Sequence, residues 1–344
     1  MAYTTIDKPS DYFNTVLYSG NGTAIGSGGQ AITGVGFAPD WTWIKERSST
    51  SPHKLLDTVR GATKELESSA TSAEATTAES LASFDSDGFT VGSNGAVNEN
   101  SQTYASWNWL AGGTASSNSD GSITSSVSAN TTAGFSICSW TGNSGTIGHG
   151  LGVKPDVIWI KSRQTANNWV VLHKGLTGGM DANGIVLNDT AAETSGGSGM
   201  AEPTSSVFTI TSGLAANDNN IGYVFAEKKG YSKFGSYTGN GNADGAFVYT
   251  GFRPAWIMVK RTGGVTNWQI QDSKRDGFND QNKRILANVN EAEKTSQMWD
   301  QLSNGFKIRV TSENANGSGM SYIYMAFAEA PFVTAGTKAA GTAR

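Results

Sequence analysis

Phe37-Ala38-Pro39-Asp40-Trp41-Thr42-Trp43-Ile44-Lys45-Glu46-Arg47 is the stretch around which the rest of the chain can be ordered. It returns as Val153-Lys154-Pro155-Asp156-Val157-Ile158-Trp159-Ile160-Lys161-Ser162-Arg163 and again as Phe252-Arg253-Pro254-Ala255-Trp256-Ile257-Met258-Val259-Lys260-Arg261. Each copy places a proline directly before an aromatic and aliphatic run that ends in lysine. Proline fixes φ and donates no ladder hydrogen bond, so it suits the entrance to a strand. Trp, Ile and Val favour the pleated surface that follows. Successive side chains on a strand point to opposite faces. The faces are Trp41/Trp43 against Thr42/Ile44, Val157/Trp159 against Ile158/Ile160, and Trp256/Met258 against Ile257/Val259. A sheet with one wet face alternates apolar and polar residues. These strands are apolar on both faces, which predicts central strands whose second face is covered by a neighbouring repeat, a loop or another subunit.

Working outward, other landmarks recur in the same order. A strand into a Gly-Asn turn appears at Val16–Gly22, Trp140–Gly145 and Tyr237–Gly241. His53–Asp57, Trp169–His173 and Trp268–Asp272 follow the proline-led run, and then Leu66–Ser69, Val186–Asp189 and Ile285–Asn288. Later come Asp87–Val91, Ser206–Ile210 and Asn304–Ile308, and finally Ala105–Ala111, Ile221–Glu227 and Ile323–Glu329. Pro39, Pro155 and Pro254 are spaced by 116 and then 99 residues, a domain-sized period. The expected fold is all-β, three tandem β-sandwich (jelly-roll-like) repeats of seven or eight strands each. The expected boundaries are an N-terminal docking arm at 1–14, repeats at 15–112, 133–230 and 231–332, a Ser/Thr/Asn-rich linker at 113–132, and a flexible tail at 333–344.

Composition agrees with a folded β-protein and excludes several functions. Aromatics make up 10% of the 344 residues, too many for a disordered chain. Net charge is −4 with no dense Lys/Arg cluster, so no nucleic-acid footprint is expected. The single cysteine, Cys138, rules out an intrachain disulfide framework and reads as a small buried hydrophobe. No stretch approaches the ~20 apolar residues of a membrane span, and the first residues lack the apolar core of a signal peptide.

The repeats provide an internal control on catalysis. Asp57, His173 and Asp272 fall at equivalent places, yet the residue type changes; a nucleophilic triad would need groups from different repeats, and the ordinary alternative is polar strand ends. Asp85-Ser86-Asp87-Gly88 opens like a calcium loop but returns at once to a strand, so a turn is expected. No Cys/His spacing suggests zinc. Glu227 and Glu329 match each other, but Ala111 occupies that place in the first repeat, which favours an edge role over acid catalysis. No cofactor, metal ligand or catalytic residue is expected. Trp107, Trp109, Trp169, Trp268 and Trp299 are candidates for a sugar platform; Trp299, outside the recurring landmarks, is the one expected to be exposed. Tyr12 and Phe13, with Ile6, make the arm the expected docking element.

The Gly-Phe-x-Pro-Asp-Trp-x-Trp-Ile-Lys strand, the Thr/Ser-Gly-Asn-Gly turn, Asp57-Thr58-Val59-Arg60-Gly61, Ser86-Asp87-Gly88-Phe89-Thr90-Val91 and Ala326-Phe327-Ala328-Glu329-Ala330-Pro331-Phe332 resemble a family of repeated β-domains in virion proteins of tailed phages, notably those of marine bacteria. The likeness runs from about Thr15 to Phe332. The second repeat departs from it, with Val157 in place of Trp41 and His173-Lys174-Gly175 in place of the Asp-x-Val-Arg-Gly piece. The resemblance implies a non-enzymatic virion component of the tail-fibre, tail-adaptor or head-fibre kind, assembled in the host cytoplasm. Its expected partners are other virion proteins, further copies of the chain (a trimer among the expected states) and a host surface glycan. The alternative is a glycan-binding or glycan-degrading tail depolymerase.

Overall fold

The computed structural model describes residues 4–195, 201–211 and 217–334. Nearly all regular structure is β. The first third forms β1 (Phe13–Ser19), β2 (Gln30–Thr33), β3 (Trp41–Glu46), β4 (Lys54–Asp57), β5 (Lys64–Glu65), β6 (Ala75–Thr76), β7 (Leu81–Asp85), β8 (Gly88–Val91) and β9 (Thr103–Trp109), with a one-turn helix, α1 (Gly95–Asn98), before β9. The middle forms β10 (Ser116–Asn118), β11 (Ser125–Asn130), β12 (Phe135–Thr141), β13 (Gly145–Gly148), β14 (Val157–Ser162), β15 (Val170–His173), β16 (Asn183–Val186), β17 (Thr194–Ser195), β18 (Val207–Ile210) and β19 (Asn219–Phe225). The last third forms β20 (Ser232–Thr238), β21 (Phe247–Tyr249), β22 (Phe252–Arg261), β23 (Gln269–Asp272), β24 (Lys283–Leu286), β25 (Lys294–Thr295), β26 (Trp299–Leu302), β27 (Gly305–Ile308) and β28 (Ser321–Pro331).

Three large antiparallel sheets share one strand order. They are β1-β9-β3-β4, β10-β11-β12-β19-β14-β15-β16-β17, and β20-β28-β22-β23-β24-β25. In each, the closing strand of its third of the chain pairs with the proline-led strand. Small sheets β2-β8-β7, β13-β18 and β21-β27-β26 accompany them. Gly88 and Gly305 recur because the paired strands approach too closely for a side chain. A Cβ would meet the Ile32 carbonyl oxygen at 1.9 Å and that of Val248 at 2.1 Å.

The two apolar faces of each central strand have different neighbours. On the outer face, Ile44, Leu56 and Tyr104 pack with Leu81, Phe89 and Val91 of the small sheet. Ile158, Ile160 and Val224 pack likewise with Phe208 and Ile210, and Ile257, Val259 and Tyr324 with Trp299 and Phe306. On the inner face, cross-strand pairs Trp41↔Trp109 and Trp43↔Trp107, Val157↔Phe225 and Trp159↔Tyr223, and Trp256↔Phe327 and Met258↔Met325 all enter one cluster drawn from all three thirds. The second apolar face is thus covered within the chain. Trp43, Trp159 and Met258, at the same step of the motif, are 0%, 1% and 1% exposed. Burying a large apolar side chain contributes roughly 1.5–3 kcal/mol, so this shared interior is the main store of stability.

Three local readings are revised. Residues 113–132 are not a bare linker: β10 and β11 extend the middle sheet, with Val127 opposite Cys138 and buried in its outer cluster. Small alternating Ser and Ala residues masked the period. The arm docks on the body, since Ile6 and Phe13 enter the shared core and Phe13 already belongs to β1. Its ring lies 4.8 Å from Trp109 and 5.2 Å from Phe327, joining the first and last thirds. Pro254 sits inside β22 rather than before it, at a register shift between Arg253 and Trp256, where a missing N–H is tolerated. Of the expected tail, residues 335–344 lie outside the described residues.

Candidate functional site

The polar residues singled out from the sequence converge on the seams between the sheets. Asp57, His173 and Asp272 end β4, β15 and β23, and each faces a different third of the chain. Asp57 Oδ2 accepts from the Tyr223 hydroxyl at 2.7 Å and from Arg60 Nε at 2.5 Å. Asp272 Oδ2 accepts from Trp107 Nε1 at 3.0 Å and from Arg275 Nε at 2.6 Å. At the third seam Met325 occupies the place of Trp107 and Tyr223 and has no hydrogen to donate. There His173 Nδ1 accepts from Gly175 N at 2.9 Å, which leaves Nε2–H to donate to the Tyr324 carbonyl at 3.1 Å. The alternation Asp, His, Asp follows what the opposite strand offers.

The same logic extends outward. Arg60 also reaches Glu74 at 3.3 Å, and Glu74 takes Arg163 of the middle third in a fork at 2.8 and 2.9 Å. Arg275 reaches Glu293 at 3.2 Å, and Glu293 takes Arg47 of the first third at 2.9 and 3.0 Å. Bidentate pairs of this kind fix orientation as well as adding energy. At the third seam Leu176 and Thr262 stand where the arginines would be, and Glu193 instead accepts from Thr177 and Asn183. The backbone repeats the pattern without change. Glu74 N, Glu193 N and Glu293 N donate to the carbonyls of Arg163, Thr262 and Arg47, each at 2.8 Å. One step inward, Trp169 Nε1 donates to Glu67 O at 2.8 Å, Trp268 Nε1 to Val186 O at 2.9 Å, and His53 Nε2 lies 2.9 Å from Leu286 O. The contacts run first to third, third to second and second to first, a closed cycle.

Burial sets the charge states. It depresses His53 and His149, and brings His173 down to about 4, so all three are neutral near pH 7. It raises the Tyr223 hydroxyl well above its ordinary range. Lys45, Lys161 and Lys260, the motif lysines, fall to about 8 because burial penalises their charge. Their ammonium groups donate to backbone carbonyls, among them Thr71 O from Lys161 at 3.1 Å and Thr190 O from Lys260 at 3.2 Å. Both carbonyls belong to the preceding third.

The structure does not gather the triad candidates, for Asp57, His173 and Asp272 are spread over three seams. Asp85 and Asp87 serve their own turn: Asp85 accepts from Ser83 and Thr90, and Asp87 from Gly34 N and Gly36 N. Among the described residues no group of three or more His, Cys, Asp or Glu could hold a metal ion. Glu227 joins Lys174 and Lys233 at 2.7 and 2.5 Å, and Glu329 pairs with Arg253 at 3.1 Å. Trp299, expected at the surface, is fully buried against Phe306 in the outer core of the last third. It lies on β26 opposite Ile308, as Leu81 lies opposite Val91, so it belongs to a recurring strand too short to recognise. Trp107, Trp109, Trp169 and Trp268 are buried as well. Tyr12 is half-buried and set edge-on to Tyr231, and Phe13 is in the core.

Exposed aromatics lie elsewhere, Phe278 among them at 72%. Phe247 and Tyr249, 46% and 54% exposed, flank buried Val248 on the edge strand β21. That apolar triplet was legible as a strand but not as a surface. Tyr249 lines a cleft of about 320 Å³ with Glu227, Lys229, Ser232, Lys233, Thr250 and Gly251. A second cleft of about 450 Å³ opens at the first seam beside Lys64, Glu74, Arg163 and Gln164.

The chain belongs to a family described as a domain of unknown function, DUF7483, whose model matches residues 8–331. No curated protein and no solved structure matches it.

Proposed function

We propose that this member of the DUF7483 family is a non-enzymatic structural subunit of a phage particle, a tail fibre or fibre-like appendage, built as three tandem β-sandwich repeats closed into a ring. The observation that carries it is the cyclic set of seams. The chain spends its conspicuous buried polar residues on holding three thirds together, through Asp57–Tyr223, Asp272–Trp107 and His173–Tyr324. Of its buried histidines and aspartates, His53, Asp57, His173 and Asp272 are engaged in that task. The resemblance to phage virion repeats supplies the setting. In that setting the partners are other virion proteins and further copies of the chain, and the outward-facing clefts meet a host surface. Mass spectrometry of purified particles, with antibody labelling in electron micrographs, tests the proposal. A chain found free in the lysate and absent from gradient-purified particles would defeat it.

A second role, glycan binding or depolymerisation by the same particle component, is favoured by one observation, the exposed Tyr249 beside Glu227 and Lys233. New reducing ends after incubation with host polysaccharide would establish cleavage. Binding without them leaves attachment alone.

A further inference from the structure

We infer that the corner between β20 and β21 takes an extended strand of a partner protein, as the corner between β12 and β13 takes residues 122–130 of this chain. The registers make β1, β12 and β20 equivalent, since Leu17, Ser139 and Ser236 stand opposite Ala105, Ile221 and Ile323 of the closing strands. β2, β13 and β21 correspond likewise, with Ile32, Ile147 and Val248 opposite Phe89, Phe208 and Phe306. The chain therefore contains one corner three times over.

In the middle third a single segment closes both sides of it. Ser126 and Ser128 pair with Ser139 and Ile137 of β12. On β13, Thr146 O accepts from Ile123 N at 3.0 Å, Thr146 N donates to Ser122 Oγ at 2.9 Å, and Gly148 O accepts from Ser125 Oγ at 2.9 Å. The first third uses its own side chains instead: Gln30 Nε2 donates to Ser19 O at 2.9 Å, and Asn14 Oδ1 accepts from Thr15 N at 3.0 Å. Among the described residues the last third has neither cover.

Gly239 N donates to Met320 O and Ala328 N to Tyr231 O, so the odd-numbered residues of β20 face β28. The N–H and C=O groups of Ser236 and Thr238 point the other way, and both residues are exposed. By the same alternation, the bond from Ile308 N to Ala246 O turns the backbone groups of Phe247 outward. Phe247 and Tyr249, 46% and 54% exposed, hold the places of Thr146 and Gly148 in the middle third and of Ala31 and Thr33 in the first. The cleft of about 320 Å³ lies between Ser232 and Lys233 of β20 and Tyr249 of β21. Open ladder groups template the addition of a strand. Main-chain bonds then supply affinity, and pockets for alternate side chains supply specificity. Here the occupant carries small side chains against β20, as Ser126 does on β12, and an apolar one beside the two rings, where the middle third has Ser122.

The occupant is a segment of another protein. β20 and β21 belong to different sheets, so the rigid sheet edge of a second copy can match one ladder but not both, whereas an extended segment follows both. The inference rests on the assembly role proposed above for who the partner is. Strand binding by the isolated chain is independent of where the chain sits in a particle.

The test is fluorescence anisotropy of a labelled synthetic peptide, residues 118–132 of this chain carrying Ser122→Leu, titrated with the purified full chain. Saturable binding is expected. N-methylation of the peptide at Ile123 and Ser126, the backbone donors to the two ladders, is expected to weaken it about tenfold or more, and so are Ser236→Pro and Phe247→Thr in the protein. The Ser236 N–H points away from β28, so proline is tolerated there; circular dichroism checks the fold, and Phe247→Thr, at an exposed side chain, stands if Ser236→Pro misfolds. No saturable binding at millimolar peptide, equal binding of the N-methylated peptide, or unchanged affinity in both variants would each overturn the inference. So would a concentration-dependent dimer abolished by Ser236→Pro, which gives the edge to a second copy, or tighter peptide binding after deletion of residues 335–344, which gives it to the chain's own end. All of these outcomes leave the virion assignment standing, because particle composition is measured separately.

Discussion

Replacing Trp43 by Ala removes the side chain that touches all three thirds of the molecule. Its ring meets Trp107 at 5.4 Å, Trp159 at 5.7 Å and Trp256 at 6.5 Å, and it is fully buried. Truncating a core aromatic costs about 3–5 kcal/mol through lost transfer energy and the cavity left behind. Trp43 Nε1 also donates to His53 Nδ1 at 2.8 Å, and stranding a buried acceptor adds about 1–3 kcal/mol. The two terms overlap, so a loss near about 5 kcal/mol is expected, a large share of the ~5–15 kcal/mol typical of a folded protein. Trp43→Phe keeps most of the ring and loses the donor, and is expected to lose about 1–3 kcal/mol. Urea unfolding followed by tryptophan fluorescence and by far-ultraviolet circular dichroism measures both. Because the cluster is common to all three thirds, the two signals are expected to fall together, with the midpoint of the whole chain lowered. A loss below about 0.5 kcal/mol, the range of surface sites, would refute the packing. So would a variant in which most of the β signal keeps its original midpoint, since that would mean the other two thirds do not lean on Trp43.

Tyr223→Phe removes the hydroxyl that Asp57 accepts across the first seam, and is expected to cost about 1.5–3 kcal/mol in the same assay, as for hydrogen bonds to charged groups; a neutral outcome would show the seam is not a bond that matters. Acid should loosen the molecule. His173 is held at about 4 when folded and returns to about 6.5 when unfolded, so the unfolded chain binds more protons and stability falls as pH drops from about 6.5 towards 4. The full shift corresponds to roughly 3 kcal/mol, and His173→Gln should flatten this part of the pH profile; an unchanged slope would contradict it. Alkali should do the reverse at first: Lys45, Lys161 and Lys260 lose protons near 8 when folded and near 10.5 when unfolded, so stability rises with pH above about 8. Buried Tyr18, Tyr223, Tyr231 and Tyr237, which resist ionisation when folded, reverse the trend above about 10. A urea midpoint that declines steadily from pH 7 to 9 would disprove the lysine effect.

Much of the interior was legible in the chain before any coordinates. The doubly apolar faces of Trp41–Ile44, Val157–Ile160 and Trp256–Val259 required cover on both sides, and the inner cluster supplies it. The partners of the polar residues were not legible, because they are set by the assembly of distant segments. Tyr223 lies 166 residues from Asp57, and Trp107 165 from Asp272. The change from Asp57 to His173 looked like an argument against function, and it proves to follow the loss of a donor at Met325. Trp299 was misplaced because solitary tryptophans resemble surface residues when the four-residue strand that buries them carries no alternation of its own. The exposed pair on β21 was missed for the opposite reason, since Phe247-Val248-Tyr249 reads as core and is core only at its centre.

The unequal seams have a consequence for self-recognition. A ring made from three identical chains must use one chemistry at every junction, and any subunit can replace any other. Here the thirds are covalently tethered, so each meets its neighbour at the high effective concentration of a linked partner rather than at the concentration of free protein. The junctions are then free to diverge. An Asp57-type edge cannot satisfy itself against Met325, and a His173-type edge offers nothing to the indole of Trp107. Permuted arrangements, in which a third meets the wrong neighbour, would strand a buried aspartate or an arginine, a penalty of several kcal/mol for each uncompensated charge. The mismatch among junctions thus acts as an address label, directing each third to one kind of neighbour and fixing their order round the cycle, while the tether favours the neighbour in the same chain.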